Sequence, residues 1–295
     1  MKTVTIAHLS HGIAHTGGYR HEQFLFKKFS EDFQQRSIPV SDKSVRDERL
    51  FKGLSQLKLF RRGFISSTAD VNIVVARLAL SAVLRNIFSS RKILIVLHYF
   101  DERDKKGILP ELYYKFLFYV LRNIPLKNVA VVAVAPFWVK YFEEKIANNI
   151  PVFLFPNFFD EEKYASFHKS EKKKQIHLGQ YSWKNDNRIF EVAKRLTAEG
   201  YLCYFSTLIK NEAGKFDDYE VMYEDHEAYL ERMSQSLYTL AFIGINEGWN
   251  RVAHESILVG TPVIGSESGG LGDLLKESGS PSFTFKVLRT VVFIT

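Results

Sequence analysis

Cysteine is almost missing from this chain: Cys203 is the single one in 295 residues. One thiol excludes a disulfide framework and fits a reducing compartment. Long apolar runs are missing as well. The nearest, Val129 to Ala135, has the length of a strand, far short of the roughly 20 residues of a membrane span. No Gly-x-Ser-x-Gly elbow and no Walker loop occurs, which removes two familiar catalytic and phosphate-binding signatures. Internal repeats and low-complexity segments are absent too. The start, MKTVTIAHLSHG, carries one lysine and an apolar run broken by His8, so it reads as a first strand rather than a signal peptide. These absences lead to the expectation of a soluble, cytoplasmic protein, with the inner face of a membrane left open to it.

What is present is an ordinary globular composition, 46% hydrophobic and 25% charged, on a chain long enough for two domains. Forty Lys and Arg face thirty-three acids, and a net charge of +7 favours anionic partners. Basic residues gather at KGLSQLKLFRR (52–62) and KSEKKK (169–174). The first reads either as a core-facing helix with a solvated basic side or as an amphipathic helix on anionic lipid. The second reads as a hydrated linker. The basic residues form no stripe with interleaved aromatics, which argues against nucleic acid. His8, His11, His15 and His21 have ligand-like spacings, but no Cys or carboxylate cluster joins them, so no metal site is expected.

Apolar runs alternate with helical patterns along the whole chain. Strands are expected at Val4–Leu9, Asp70–Ala76, Lys92–Leu97, Val129–Ala135 and Val152–Phe155, with helices between them. After the charged stretch 160–174 the pattern restarts with Gln175–Leu178, Tyr201–Thr207 and Tyr238–Ile243. This is the signature of βαβ units and parallel sheets covered on both faces. Residues 1–156 and 175–295 are expected as two α/β domains, with 157–174 as the linker.

The densest segment is EGWNRVAHESILVGTPVIGSESGG, from Glu247 to Gly270. It reads as loop, helix, turn, buried strand and Gly-rich loop. Glu247 and Glu255 stand eight positions apart, about 80° in projection if they share one helix. Glu255 is expected two turns into that helix, and Glu247 at or before its mouth. A ligand laid along the helix start meets both. A nucleoside diphosphate suits such a place: a carboxylate accepts from the ribose hydroxyls, while a pyrophosphate needs cations and backbone N–H groups. Gly17-Gly18, Gly179 and the helix start Gly248–Val252 offer the N–H groups, and Lys184 a full charge.

With these residues in view, the chain resembles the GT-B glycosyltransferases, especially the retaining enzymes of glycosyltransferase family 4. GINEGWNRVAHESILVGTPVIGSESGG resembles their nucleotide-sugar signature, with its two glutamates separated by seven residues. Gly17-Gly18 is similar to their first-domain glycine loop and LIVLHYFDE around His98 to their strand ending in histidine. PNFFD (156–160) resembles their interdomain joint, and HLGQYSWKN around Lys184 their phosphate loop. The resemblance implies two Rossmann-like domains facing a central cleft. It implies transfer of a sugar from a UDP- or GDP-sugar, with retention, to a glycan or lipid-linked acceptor in surface polysaccharide or lipopolysaccharide synthesis. Glu255 then holds the ribose, Glu247 and His98 reach the sugar, and Lys184 neutralises the departing diphosphate. Asn250, Arg251 and Val252 line the phosphate. No metal and no other cofactor is implied.

The chain departs from that pattern in three places. Gln180 replaces the usual arginine of the phosphate loop, and Phe158 stands where the joint usually has glycine. The tail FKVLRTVVFIT resembles none of the helices that close the family's second domain, so that domain is expected to be incomplete. Two other readings remain at this stage: a non-catalytic nucleotide-sugar-binding relative or interaction protein on the same fold, and a nucleotide-sugar 2-epimerase.

Overall fold

A computed structural model describes residues 5–10, 34–39, 63–98, 108–147, 149–169 and 171–283, with Phe24, Lys27, Phe60 and Arg61. Gly17, Gly18, His11, His15 and His21 lie outside the described residues, as do most of the basic segment 52–62 and the tail from 284 onward. The chain divides into two compact units, Met1–Phe158 and Phe159–Thr295.

The first unit is built on a six-stranded sheet. Its strands are β1 (Thr5–Ser10), β2 (Gln34–Pro39), β3 (Val71–Val75), β4 (Lys92–Leu97), β5 (Val129–Ala133) and β6 (Val152–Leu154). The order is β2-β1-β3-β4-β5-β6, and every pairing is parallel. A parallel sheet covered on both faces needs strands that are apolar on both sides. VNIVV, KILIVL and VAVVA meet that need, and Ile73, Ile95 and Val131 are fully buried. Among the described residues, the connections from β3 to β6 are the helices α1 (Ala76–Asn86), α2 (Ile108–Asn123) and α3 (Pro136–Ile146). Pro136, where the apolar run of β5 stops, opens α3, because a first-turn residue needs no N–H acceptor.

The second unit carries a seven-stranded sheet: β7 (Gln175–Gln180), β8 (Leu202–Thr207), β9 (Gly214–Lys215), β10 (Glu220–Tyr223), β11 (Tyr238–Ala241), β12 (Val263–Ser266) and β13 (Ser282–Phe283). Their order is β13-β12-β11-β7-β8-β10-β9, parallel except for the hairpin partner β9. The helices are α4 (Glu161–Ala165), α5 (Arg188–Ala198), α6 (His226–Ser234), α7 (Arg251–Leu258) and α8 (Gly270–Glu277). Ile176, Leu178, Ile189, Ala193, Phe205 and Phe242 form its sheet core. Cys203 is buried in that core as a free thiol.

Two expectations need correction. Part of the stretch read as a linker is the helix α4, capped by Asp160, whose carboxylate accepts from the Lys163 amide. Its Tyr164 is buried with Phe159, Leu230, Met233 and Val259. Lys172, in the run read as hydrated, turns inward. Its Nζ donates to Ser234 O at 2.6 Å, Gly260 O at 2.9 Å and Thr261 Oγ1 at 3.1 Å. It thereby satisfies carbonyls left over at the ends of α6 and α7, where a cation also suits the helix dipole.

Candidate active site

In the second sheet the chain runs from β7 outward through β8 to β10, and from β11 outward through β12 to β13. β7 and β11 are neighbours, so the strand order reverses between them. In an open α/β sheet a ligand binds beyond the carboxyl ends of the strands at such a reversal. The residues found there are Gly179 near the end of β7, Lys184 in the loop that follows, and Glu247 and Gly248 in the loop after β11.

The two loops are laced together by backbone bonds. Asn185 bridges Ile243, Asp186 N donates to Phe242 O at 2.9 Å, and Gly244 N donates to Lys184 O at 2.9 Å. Gly179 has φ +80°, and a Cβ there would lie 3.3 Å from Leu240 O. The effect is to set Lys184 against Glu247, with Nζ at 3.2 Å from Oε1 and 3.4 Å from Oε2. Glu247 Oε1 also accepts from the Gly248 amide at 3.1 Å.

Glu247 is not part of α7. Its backbone bridges Gly269 in parallel, and its carbonyl accepts from Gly270 N at 2.9 Å. Glu255 lies one turn into α7, four residues after Arg251, rather than two turns. The two carboxylates therefore share no helix, and the projection expected from their spacing does not apply.

At the start of α7, Asn250 Oδ1 accepts from the Ala253 amide at 2.9 Å. Its side chain thus serves the helix itself as an N-cap. The amides of Arg251 and Val252 have no acceptor within the helix, as at any helix start. The Arg251 guanidinium lies 4.2 Å over the Phe159 ring and 3.6 Å from Glu255 Oε1. Val252 packs beside Phe159 and Tyr164.

Glu255 is 5% exposed. Its Oε1 accepts from the Tyr164 hydroxyl and its Oε2 from the Tyr229 hydroxyl, each at 3.2 Å. His226 Nε2, buried and without a hydrogen-bond partner, stands 3.6 Å from Oε1. Burial alone would raise the Glu255 pKa. The His226 imidazole, the Arg251 guanidinium and the Tyr164 hydroxyl outweigh it and hold the carboxylate below its ordinary range. Tyr229 moves the other way: burial, then the Glu255 charge, push its hydroxyl well above 10.

Sequence reasoning missed Tyr164, Tyr229, His226 and Phe159. For Tyr164 a signal existed, because Asp160 followed by Glu161 and Glu162 is a helix-start pattern. Nothing local marks Tyr229. Of the other expected residues, His98 directly follows β4 in the first unit and is half-buried. Among the described residues, no group of three or more His, Cys, Asp or Glu is placed to hold a metal ion. What the site assembles is a cation beside a carboxylate, amides at a helix start and a buried, ionised second carboxylate.

No protein-family model matches the sequence, and no curated protein matches it. Solved structures do match over nearly the full chain. Anabaena HepE, solved in complex with UDP and glucose, shares 14% identity with a TM-score of 0.63, covering 95% of this chain and 86% of that one. Sucrose-phosphate synthase from Thermosynechococcus elongatus shares 12% identity with a TM-score of 0.69, covering 97% and 90%. A glycosyltransferase from Rickettsia africae shares 16% identity with a TM-score of 0.57, covering 92% and 82%. The chain has the GT-B fold of these glycosyltransferases.

Proposed function

We propose that this chain is a retaining glycosyltransferase of the family 4 type, which moves a hexose-type sugar from a UDP- or GDP-sugar to a glycan or lipid-linked acceptor. The observation that carries the reading is the pairing of Lys184 with Glu247 at the β7/β11 reversal, beside the start of α7. A diphosphate entering there gives Lys184 a new anionic partner and meets the α7 amides. With Lys184 engaged by the diphosphate, Glu247 accepts from sugar hydroxyls, and Glu255 takes the ribose. HepE was solved with UDP-glucose, which supports this class of donor.

In the reaction the bond from the anomeric carbon to the diphosphate oxygen breaks. The acceptor oxygen bonds to the same face of that carbon, and its proton leaves with the diphosphate. Lys184 and the helix start stabilise the charge that gathers on the leaving group, so no metal is required. The setting is surface polysaccharide or lipopolysaccharide synthesis at the cytoplasmic face of an anionic membrane. Gln180, exposed at the end of β7 where a cation is usual, favours a second reading: a nucleotide-sugar-binding relative without turnover. Incubation with labelled donors and acceptors separates the two, since sugar transfer removes the second.

Titration with UDP and GDP tests the site. Lys184→Ala removes one charge-assisted contact, worth about 1.5–3 kcal/mol, and so weakens binding about ten- to a hundredfold. Glu255→Ala weakens it as well. Unchanged affinity in both variants would falsify the assignment.

A further inference from the structure

We propose that Tyr164 and Tyr229 orient the Glu255 carboxylate to read the vicinal hydroxyls of a ribose, and so make the site selective for ribonucleoside over 2′-deoxyribonucleoside diphosphates. The inference rests on the nucleotide-sugar reading above and adds two positioning residues and a selectivity to it.

Three helices converge on Glu255. α4 brings Tyr164 to Oε1, α6 brings Tyr229 to Oε2, and α7 carries the carboxylate itself. Each oxygen therefore receives one phenol. An ionised carboxylate has about four acceptor positions, two on each oxygen. The phenols take two, Oε1 also faces Arg251 and His226 at 3.6 Å, and Oε2 carries Tyr229. A vicinal diol presents two hydroxyl donors side by side, one toward each oxygen of a carboxylate.

The phenols also fix the plane of the group. A glutamate turns about three bonds, and its last torsion is soft. Anchors on opposite oxygens remove that freedom before a ligand arrives. Both anchors are themselves held. The Tyr164 ring packs edge-on against Phe159 at 5.6 Å, and the Tyr229 ring against His177 at 5.9 Å. Arg251 and His226, each at 3.6 Å from Oε1, are placed to draw the carboxylate to one side once a phenol is lost. Burial keeps the Tyr229 hydroxyl protonated, so it remains a donor to Glu255.

The test is calorimetric titration of the full chain with UDP, GDP and their 2′-deoxy forms. Wild type, Tyr164→Phe and Tyr229→Phe are compared, with thermal midpoints confirming that each variant folds. Wild type is expected to favour the ribonucleotide about tenfold or more, the weight of one hydrogen bond to a charged group. Each Phe variant keeps its ring and loses only the hydroxyl. Its ribose-to-deoxyribose ratio should fall about threefold or more, while the 2′-deoxy form binds nearly as before. A general loss of packing weakens both ligands alike and leaves the ratio in place, which would overturn the inference. Tighter ribonucleotide binding by the Phe variants would overturn it too, because the phenols would then be occluding the carboxylate. If wild type binds neither UDP nor GDP, the nucleotide reading itself fails. If wild type binds and discriminates but the variants keep its ratio, only the positioning role fails.

Discussion

Two histidines of the second unit are held neutral by burial. His177 sits inside β7 with Thr239 Oγ1 3.2 Å from Nδ1 and Ser206 Oγ 3.3 Å from Nε2. Burial pushes its pKa down to about 3, against a partial rise from the Gly179 backbone. His254 accepts from Trp249 Nε1 at 2.9 Å. Burial, then the Arg251 charge, push it down to about 4. In the unfolded chain both return to about 6.5. Below that pH the unfolded state binds protons that the folded state refuses, so stability is complete above pH 6.5 and is lost as pH falls. The loss is complete near pH 4 for His254 and near pH 3 for His177. Glu255, whose pKa is lowered on folding, adds its loss only below the ordinary carboxylate range. The thermal midpoint should therefore drop steadily from pH 7 to 4.5, and His254→Gln should flatten that slope. A midpoint constant down to pH 5 contradicts the assignment. None of this was legible in the sequence. His177 follows an ordinary strand residue, and its neutrality comes from burial among strands whose nearest hydroxyls lie 29 and 62 positions away.

Between elements, the site depends on close approaches that only certain residues permit. Gly269 has φ +59°, and a Cβ there would lie 2.4 Å from Glu247 O and 2.9 Å from Glu247 N. A side chain at this position strains the backbone and pushes the Glu247 loop away from β12 and α8. Gly269→Ala should cost about 1–3 kcal/mol by chemical denaturation. It should also weaken nucleotide binding, while Gly279→Ala, with nothing within 4 Å, should leave binding as it is. Lys172→Met leaves three acceptors without their donor and should cost a similar amount. A variant as stable as wild type rules out that capping role. At this scale the sequence was informative wherever burial on both faces wrote itself into composition. The runs VNIVV, KILIVL and VAVVA lie in strands, as expected. β2 went unseen because QQRSIP has no apolar alternation, and its place at the sheet edge asks for none. The paired glutamates were found by their spacing, but a spacing cannot show that one of them belongs to a loop bridging Gly269. The residues flanking Glu255 were missed because Tyr164 lies 91 positions away in sequence.

For the molecule as a whole, a formal charge of +7 acts at longer range than any of these contacts. Part of it is gathered near one end of α1. Phe88, just past that helix, is 99% exposed, and Phe64 and Ile65 are exposed as well. The Arg85 guanidinium lies 5.4 Å over the Phe64 ring, and Arg61, Arg91 and Lys92 are close by in sequence. Among the described residues no helix is long and apolar enough to cross a membrane. Phe64, Ile65 and Phe88, three apolar side chains among the described residues, are far fewer than the roughly 20 residues a side of a stable protein interface. Aromatic side chains with neighbouring cations suit an anionic lipid surface, where each Lys or Arg adds about 1 kcal/mol. The full chain should then co-sediment with vesicles containing phosphatidylglycerol and release them as salt rises, because the attraction is screened beyond about 10 Å at 0.1 M. Phe88→Ser should weaken the binding, and Arg85→Ala with Lys92→Ala should weaken it about tenfold or more. Equal binding to neutral phosphatidylcholine vesicles, or binding indifferent to all three substitutions, would place the lipid contact elsewhere on the chain. A dimer that dissociates in Phe88→Ser would give this surface to a second copy instead.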